Sequence, residues 1–300
     1  MSIVNDIRTA FSRRDNALNQ LLLINVLVFV FLVLTKAVMH LSGTVAYYPN
    51  VLRQFELPSD MPSLLRHPWT LLTYAFTHEG PFHILFNLLN LYWFGALIRE
   101  YLGDRRLVSL YILGALAGAT LFLLAFNLIP TLRPYAAAGV PLLGASAAVT
   151  AIIMAAATLL PDYTFMLFLL GAVRIKYIAA VVILLSVLAI NQGNPGGGIA
   201  HIGGALVGFL FVKQLQAGRD LGRPVQAVGD FFVRLVTGRP NLRVTHRSAS
   251  AAPAAPVVKK GAPTLPGQDE IDLILDKISH SGYESLSKEE KQKLFRASQK

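Results

Sequence analysis

The sequence predicts an all-α fold: a polytopic membrane protein whose six transmembrane helices form a bundle, followed by a helical extension on the cytoplasmic side. Two observations support this prediction. Of the 300 residues, 54% are hydrophobic and 15% are charged, and the mean hydropathy is +0.51. A soluble domain of this size has roughly a quarter charged residues. The apolar residues are also gathered into six runs of about the length that a bilayer requires.

Six apolar runs are long enough to form transmembrane helices. They cover residues 20–39, 82–98, 107–129, 143–160, 175–191 and 199–215. The second and sixth runs are short for a bilayer, which indicates a tilted helix or a locally thinner membrane. Residues 163–173 are apolar but too few to span, so we expect them to lie at the membrane interface or to re-enter the membrane. The Gly- and Asn-rich residues 191–198 are expected to form a flexible loop that can act as a lid.

Composition divides the chain into five segments. They are a cytoplasmic N-terminal segment (1–19), the six-helix membrane domain (20–217), a basic amphipathic juxtamembrane segment (218–247), an Ala- and Pro-rich linker (248–268) and a small cytoplasmic helical hairpin (269–300). In the last segment, Gly282 is expected to end one helix. Ser287 with Glu290 forms a capping-box pattern that begins the next helix. The first loop, residues 40–77, has many aromatic side chains, and we expect it to be structured and to lie in the outer interface.

The distribution of basic residues predicts that both termini lie in the cytoplasm. The chain has 27 Lys and Arg residues against 17 Asp and Glu, a net charge of +10. The basic residues that flank the predicted inner ends of the helices are Arg8, Arg13, Arg14, Arg99, Arg105, Arg106, Arg174 and Lys176. This pattern is typical of loops beside anionic lipid, and we expect no nucleic-acid partner. From the size of the chain and the absence of a transit peptide, we expect a bacterial inner membrane.

Several kinds of site are excluded by the residues present. The chain has no cysteine, which excludes disulfides, thiolate nucleophiles and cysteine metal sites. His78 and Glu79 begin an H-E-x-x-H pattern, but Phe82 stands where the second histidine is needed. An ion carrier would be expected to have acidic partners at membrane depth, and the fourth and sixth runs contain none. We therefore expect neither a metal nor a cofactor.

Three polar motifs lie near the outer ends of the second, fourth and sixth runs. Their residues are His78, His83 and Asn87; Gly144 and Ser146; and His201, Gly204 and Gly208. A lone serine in a membrane helix usually bonds to its own backbone, and a lone histidine often has only a packing role. The topology changes this interpretation, because the even-numbered helices all begin on the same side of the membrane. The three motifs are therefore expected to meet at a similar depth.

The second and third of these motifs together have the chemistry of a Ser–His dyad. His201 would take the proton of the Ser146 hydroxyl, which is a weak nucleophile until a base removes that proton. Gly204 and Gly208 form a G-x-x-x-G pattern that allows the sixth helix to approach the fourth closely. No acid lies in either helix to orient the histidine. The sequence thus predicts a dyad rather than a triad.

The first motif offers hydrogen-bond donors for a developing negative charge. His83 and Asn87 are four residues apart and share one face of a helix. Together with the backbone N–H of Ser146, they could donate to an oxyanion. Gly144 leaves the backbone unshielded just before the nucleophile. These groups are the ones that acyl transfer requires in addition to the dyad.

The motifs resemble those of the rhomboid family of intramembrane serine proteases, over about residues 15–215. The family patterns H-x-x-x-x-H-x-x-x-N, G-x-S and A-H-x-x-G-x-x-x-G begin at His78, Gly144 and Ala200. The resemblance implies a six-helix bundle of the bacterial type. It also implies that the protein cleaves transmembrane segments of membrane proteins within the lipid bilayer.

The resemblance implies a role for each site residue. Ser146 would be the nucleophile, His201 the base, and His83 and Asn87 the oxyanion donors. His78 would help to hold the outer loop. The resemblance does not identify a partner for the C-terminal hairpin.

This sequence departs from the family pattern at a few positions around the site. The family usually has glycine where Ala147 stands, and often an aromatic residue where Thr150 stands. The outer-loop Trp-Arg pair is Trp69-Thr70 here, and the Glu-x-x-x-Gly motif is only approximated by Glu100 and Gly103. The alternative function is an inactive rhomboid-like protein that binds or escorts membrane clients. Such proteins typically lack the serine or the histidine, and both are present in this chain.

Overall fold

The computed structural model of the chain describes residues 16–167, 171–237 and 268–297. The chain forms two compact units, Met1–Pro240 and Asn241–Lys300. Most of the predicted N-terminal segment and almost all of the predicted linker lie outside the described residues. The first unit contains the apolar helices, and the second contains two short polar helices.

All six predicted runs are helical. The helices are α1 (Ala17–Leu41), α2 (Pro81–Leu102), α3 (Asp104–Leu128), α4 (Ser146–Leu159), α5 (Ile175–Asn191) and α6 (Pro195–Gln216). Four of them, α1, α2, α3 and α6, are long and apolar enough to cross a membrane. The two shorter apolar helices are α4, with 14 residues, and α5, with 17 residues.

The expectation that the second and sixth helices are short is wrong, since each has 22 residues. Helix α2 continues through the charged residues Arg99 and Glu100 and ends at Gly103, whose φ of +84° leaves the helical region. An apolar run ends at the first charged residues, whereas the helix continues until the backbone conformation changes. This difference explains why the apolar run underestimates the length of α2.

The prediction of a flexible loop at residues 191–198 is also wrong for residues 195–198, which are helical. Pro195 is in the first turn of α6, and the side chain of Asn194 caps that turn by accepting a hydrogen bond from the N–H of Gly197 at 2.9 Å. Gly196, Gly197 and Gly198 are buried. Only residues 192–194 connect α5 to α6. The glycines therefore serve helix packing rather than the lid.

Small residues bring α4 into close contact with two neighbouring helices. A Cβ built on Gly204 of α6 would collide with the carbonyl oxygen of Ala147 on α4. A Cβ on Gly118 of α3 would lie 2.6 Å from the Cβ of the same residue, Ala147. The pattern repeats one turn later, where Gly208 meets the carbonyl oxygen of Ala151. Helix α4 therefore packs closely on both α3 and α6, and Ala147 lies at the contact with each.

The first loop is structured, as the sequence predicts. It contains helical turns at Val45–Tyr47, Tyr48–Leu52, Met61–Arg66, Thr70–Thr73 and Tyr74–Phe76. Leu57 and Leu142 exchange two backbone hydrogen bonds, of 2.9 and 2.8 Å. The indole N–H of Trp69 donates to the carbonyl of Gln54 at 2.8 Å. The Leu57–Leu142 pair attaches the loop to the segment that leads into α4, and the Trp69 bond joins two parts of the loop itself.

The described residues of the piece 163–173, which are 163–167 and 171–173, form strands rather than a helix. Strands β1 (Thr164–Leu167) and β2 (Gly171–Arg174) pair antiparallel, with Thr164 opposite Arg174. Phe165 packs on Phe94 of α2, with a distance of 5.0 Å between ring centroids. At the base of the hairpin, Lys176 contacts the carboxylate of Asp162 at 2.7 Å. Phe165 thus packs against the bundle, whereas Met166 of the same strand is exposed.

The predicted juxtamembrane helix is α7 (Arg223–Thr237). One face exposes a set of large apolar side chains at spacings of three and four residues, Val228, Phe231, Phe232 and Leu235. Asp230 contacts Arg105 at the start of α3 at 3.4 Å, and Asp220, just before α7, contacts Arg106 at 2.9 Å. The helix is therefore tied to the same end of the bundle as the α2–α3 turn.

The second unit contains the predicted helical hairpin, with α8 (Gln268–Ser281) and α9 (Lys288–Ala297). Gly282 follows α8 with a φ of +76°. Ser287 and Glu290 form the predicted capping box, in which the Ser287 N–H donates to Glu290 at 2.7 Å and the Glu290 N–H donates to Ser287 at 3.3 Å. Lys277 contacts Glu290 at 2.9 Å and joins the two helices.

Candidate active site

A cavity of about 420 Å³ lies among α2, α4, α5 and α6. Four of the predicted site residues line it: Ser146, His201, His83 and Asn87. Its other lining residues are Phe82, Phe86, Asn90, Val149, Thr150, Ile153, Val182, Leu185, Ser186 and Ala189. The structure therefore brings residues from three separate motifs to one mainly apolar cavity.

Ser146 is the first residue of α4, so its backbone N–H has no acceptor within the helix. Gly144, two residues earlier, has a φ of +114°, which a residue with a side chain adopts only under strain. A Cβ built on Gly144 would lie 2.7 Å from Cε1 and Nε2 of His83. Glycine therefore allows both the turn into α4 and the approach of the His83 ring to the backbone before Ser146.

His83 and Asn87 lie on one face of α2, as their spacing predicts. The side-chain amide of Asn87 donates to the carbonyl of His83 at 2.8 Å. An amide nitrogen has two protons, so one N–H remains for a ligand in the cavity. Asn87 is buried, and its neighbours on the cavity wall are largely apolar. A hydrogen bond made there competes little with water.

His78 does not line the cavity, and it supports the site from behind. Its Nε2 accepts a hydrogen bond from the backbone N–H of Ala145 at 3.3 Å. Its ring meets that of His83 edge to face, at 5.0 Å between centroids. The N–H of Gly144 donates to the carbonyl of Tyr74 at 2.9 Å. These bonds hold Gly144 and Ala145, the two residues that precede Ser146, and the role of His78 in holding the outer loop stays a prediction.

His201 faces the cavity from α6, one turn from Gly204. In the part of the chain that the structure describes, no hydrogen bond joins its ring to Ser146 Oγ. The bond between a nucleophile and its base is often long before substrate binds. Thr150, one turn after Ser146, donates its hydroxyl proton to the Ser146 carbonyl at 2.7 Å. Thr150 therefore bonds to the backbone of its own helix, as a hydroxyl in a membrane helix usually does.

Ser186 on α5 is a cavity residue that the sequence analysis missed. Its Oγ lies 3.1 Å from Nδ1 of His201. It is the one serine or threonine in the fifth apolar run. Ser186 and His201 are about equally far from the short α5–α6 connection, so two antiparallel helices place them opposite each other. That symmetry is the signal that could have identified it. Among the described residues, no group of three His, Asp or Glu side chains could hold a metal ion.

The comparisons with known proteins agree with this architecture. A family model described as the Rhomboid domain matches residues 65–216, half of the chain. The chain belongs to the rhomboid family. Residues 266–300 match a second model, described as a family of unknown function (DUF6576). The rhomboid match covers the cavity helices α2 to α6, and the second match covers the helical hairpin.

Three rhomboid relatives show how far the similarity extends. RHOMBOID-like protein 12, mitochondrial, of Arabidopsis thaliana is 33% identical over 158 residues, which are 50% of this chain and 47% of that protein. Rhomboid protein 1, mitochondrial, of Saccharomyces cerevisiae is 32% identical over 165 residues, or 53% and 45% of the two chains. Rhomboid-like protein 17, chloroplastic, of Arabidopsis thaliana is 28% identical over 162 residues, or 50% of each.

The chain spans about half the length of the curated relatives it matches. The predicted resemblance to the rhomboid family is confirmed, and so is a multi-pass integral membrane protein built on the rhomboid bundle. These relatives are named as mitochondrial or chloroplastic proteins. They give no support to the bacterial form or to the bacterial inner membrane that we expected.

The first loop contains a carboxyl group with a shifted pKa. Burial raises the pKa of the Glu56 carboxyl from 4.5 to about 7. The negative charge of Glu79 adds to this increase, and the positive charge of Arg53 opposes it. The folded protein therefore binds this proton more tightly than the unfolded chain does. The stability that the group contributes is complete below pH 4.5 and is lost as the pH rises through about 7.

Glu56→Gln is expected to weaken the pH dependence of stability. In detergent, the Tm of the parent should fall between pH 5 and pH 8 by more than the Tm of the variant, because the amide cannot ionise. Thermal unfolding followed by intrinsic fluorescence measures this. The exposed Glu100→Gln is the matched control and should follow the parent. Equal falls in Tm for the parent and Glu56→Gln would contradict the assignment.

Proposed function

We propose that the protein is an intramembrane serine endopeptidase that hydrolyses a peptide bond in or near a transmembrane segment of a membrane-protein substrate. The observation that supports this proposal best is the single cavity lined by Ser146, His201, His83 and Asn87. Each of the four has a chemical part in acyl transfer, and the chain belongs to a family of this fold. A protein that only binds or escorts membrane proteins would not need these four side chains together.

The reaction begins with attack of Ser146 Oγ on the scissile carbonyl carbon, while His201 takes the hydroxyl proton. The carbonyl oxygen becomes an oxyanion and accepts hydrogen bonds from the free N–H of Asn87, from His83 and from the backbone N–H of Ser146. His201 then gives its proton to the leaving nitrogen, and an acyl-enzyme remains on Ser146. Water then attacks the acyl carbon and loses a proton to His201, the bond from that carbon to Ser146 Oγ breaks, and His201 returns the proton to Ser146 Oγ.

The substrate reaches the cavity from the lipid, between α2 and α5. These two helices flank the cavity and share no more than marginal contact in the described residues. The rim on this side exposes Phe82, Phe86 and Leu185. Apolar side chains suit a membrane-spanning segment, which must lose helical hydrogen bonds before its peptide bond is accessible. Substrates with Gly or Pro near the scissile bond are therefore favoured.

The predicted orientation, with both termini on the cytoplasmic side, is part of the proposal. Helices α2, α4 and α6 begin at the cavity, and the basic residues Arg99, Arg105 and Arg106 lie at the opposite ends of α2 and α3. The exposed apolar face of α7 would lie on the lipid at that basic end. The cavity would accordingly open toward the outer side of the membrane.

The test is cleavage of a single-pass substrate by the purified protein in liposomes. We expect two fragments from the parent and none from Ser146→Ala. The control is Thr158→Ala on the same helix, where the lost hydroxyl donates to Met154 outside the cavity. Thr158→Ala should cleave at the parental rate. If the parent binds the substrate without cutting it, the escort alternative is correct and the proposed activity is wrong.

A further inference from the structure

His201, the base of the proposed dyad, has a hydrogen-bond partner on α5, Ser186. This bond also determines which ring nitrogen of His201 carries the proton. Ser186 Oγ lies 3.1 Å from Nδ1 of His201 and 2.7 Å from the carbonyl oxygen of Val182. The Ser186 side chain is buried. A carbonyl oxygen can only accept, so the single hydroxyl proton of Ser186 is used in the bond to Val182. Toward His201, Ser186 Oγ can then only accept a proton.

It follows that Nδ1 of His201 is the protonated nitrogen of the neutral ring. The other nitrogen, Nε2, then has its lone pair free. A base that takes a proton from Ser146 needs this tautomer. When Nε2 accepts that proton, the Nδ1–H bond to Ser186 is kept, and it becomes stronger because its donor is now a cation.

We propose that Ser186 is a positioning residue that sets the tautomer and orientation of His201; this rests on the proposed function. Two observations explain why this chain needs such a residue. Helices α4 and α6 contain no acid to orient the ring. In addition, the position one turn after Ser146 is Thr150, whose hydroxyl is bonded to the Ser146 carbonyl and which has no ring to stack on His201.

The packing of α5 against α6 supports the same role. A Cβ on Gly198 would collide with the carbonyl oxygen of Ser186, so glycine at this position allows α5 to approach. Gly198 is three residues before His201 and therefore on the same face of α6. The close contact places the Ser186 hydroxyl within hydrogen-bond distance of the ring.

The first test compares Ser186→Ala with Ser186→Thr, which keeps the hydroxyl. The measured quantities are kcat and KM for cleavage and the rate at which a fluorophosphonate probe labels Ser146. Ser186→Ala should lower kcat and the labelling rate together by roughly tenfold or more, as loss of one buried hydrogen bond implies. KM should stay within about twofold of the parent, because Ser186 binds no substrate group. Ser186→Thr should recover most of the loss.

The control is Ser109→Ala on α3, a buried serine that makes the same bond to a carbonyl four residues earlier, at 2.8 Å. It should label at the parental rate. If Ser186→Ala also labels at that rate while Ser146→Ala does not label, the positioning role is wrong and the dyad stands. If Ser146→Ala labels like the parent, the proposed function itself is wrong.

The second test is made on the parent protein and does not depend on whether Ser186→Ala folds. In the ¹⁵N NMR spectrum of the parent with labelled histidine, His201 should show a protonated Nδ1 and an unprotonated Nε2. The signal is assigned by its absence in His201→Gln. A parent spectrum with the proton on Nε2 would overturn the proposal.

Discussion

Replacing His201 with alanine is expected to lower kcat for substrate cleavage by on the order of 10³-fold or more, with little change in KM. In the proposed mechanism His201 takes the Ser146 proton, and α4 and α6 contain no acid that could replace it. Removing the base leaves the oxyanion donors, so a small residual rate is expected. Steady-state kinetics in liposomes measure the change.

The control for this variant is His40→Ala. His40 is an exposed histidine in the last turn of α1 and does not line the cavity. It should keep the parental kcat, which excludes a general effect of losing a histidine. Circular dichroism should show that His201→Ala keeps its helical content. A folded His201→Ala protein that retained a tenth of the parental kcat would show that His201 is not the base.

Gly204→Val is expected to lower both the activity and the stability. The new Cβ would collide with the carbonyl oxygen of Ala147, so α6 must move away from α4. Overpacking of this kind costs about 1–3 kcal/mol. The shift also separates His201 from Ser146, and we expect kcat to fall on the order of 100-fold, because small displacements of reacting groups have effects of this size. Thermal unfolding and cleavage kinetics measure the two effects.

Gly229→Val provides a matched control. Gly229 is also a helical glycine, on α7, but a Cβ there meets nothing within 4 Å. This variant should keep the parental kcat and a Tm at or slightly above that of the parent, because valine is a better helix former than glycine and has room at this position. Parental Tm and kcat in Gly204→Val would mean that the α4–α6 contact does not determine the site.

The number and order of the helices could be predicted because each apolar run maps onto one helix. Helix ends could not be predicted in the same way. Arg99 is still helical in α2, and the glycines before His201 form the first turn of α6, since both depend on backbone conformation rather than on hydropathy. The fourth run likewise begins at 143, whereas α4 begins at Ser146, because the positive φ of Gly144 prevents an earlier start.

The site residues that could be predicted are the polar ones that interrupt an apolar run of the sequence. His83, Asn87 and His201 are polar groups in membrane-length runs, and the structure places all three on one cavity. Ser186 did not stand out, because a serine in an apolar helix usually has no role beyond its own backbone. Its contact with His201 depends on the pairing of α5 and α6 at their short connection, which no local pattern describes. The contact of His78 with Ala145 depends on tertiary structure in the same way.

The measurement that tests the dyad most directly is labelling with a fluorophosphonate probe, followed by mass spectrometry of the labelled peptide. The probe reacts with a serine only where a base activates the hydroxyl and donors stabilise the oxyanion. The account predicts one labelled residue, Ser146, in the parent and no label in Ser146→Ala. Label on another residue, or equal labelling of the parent and Ser146→Ala, would contradict it.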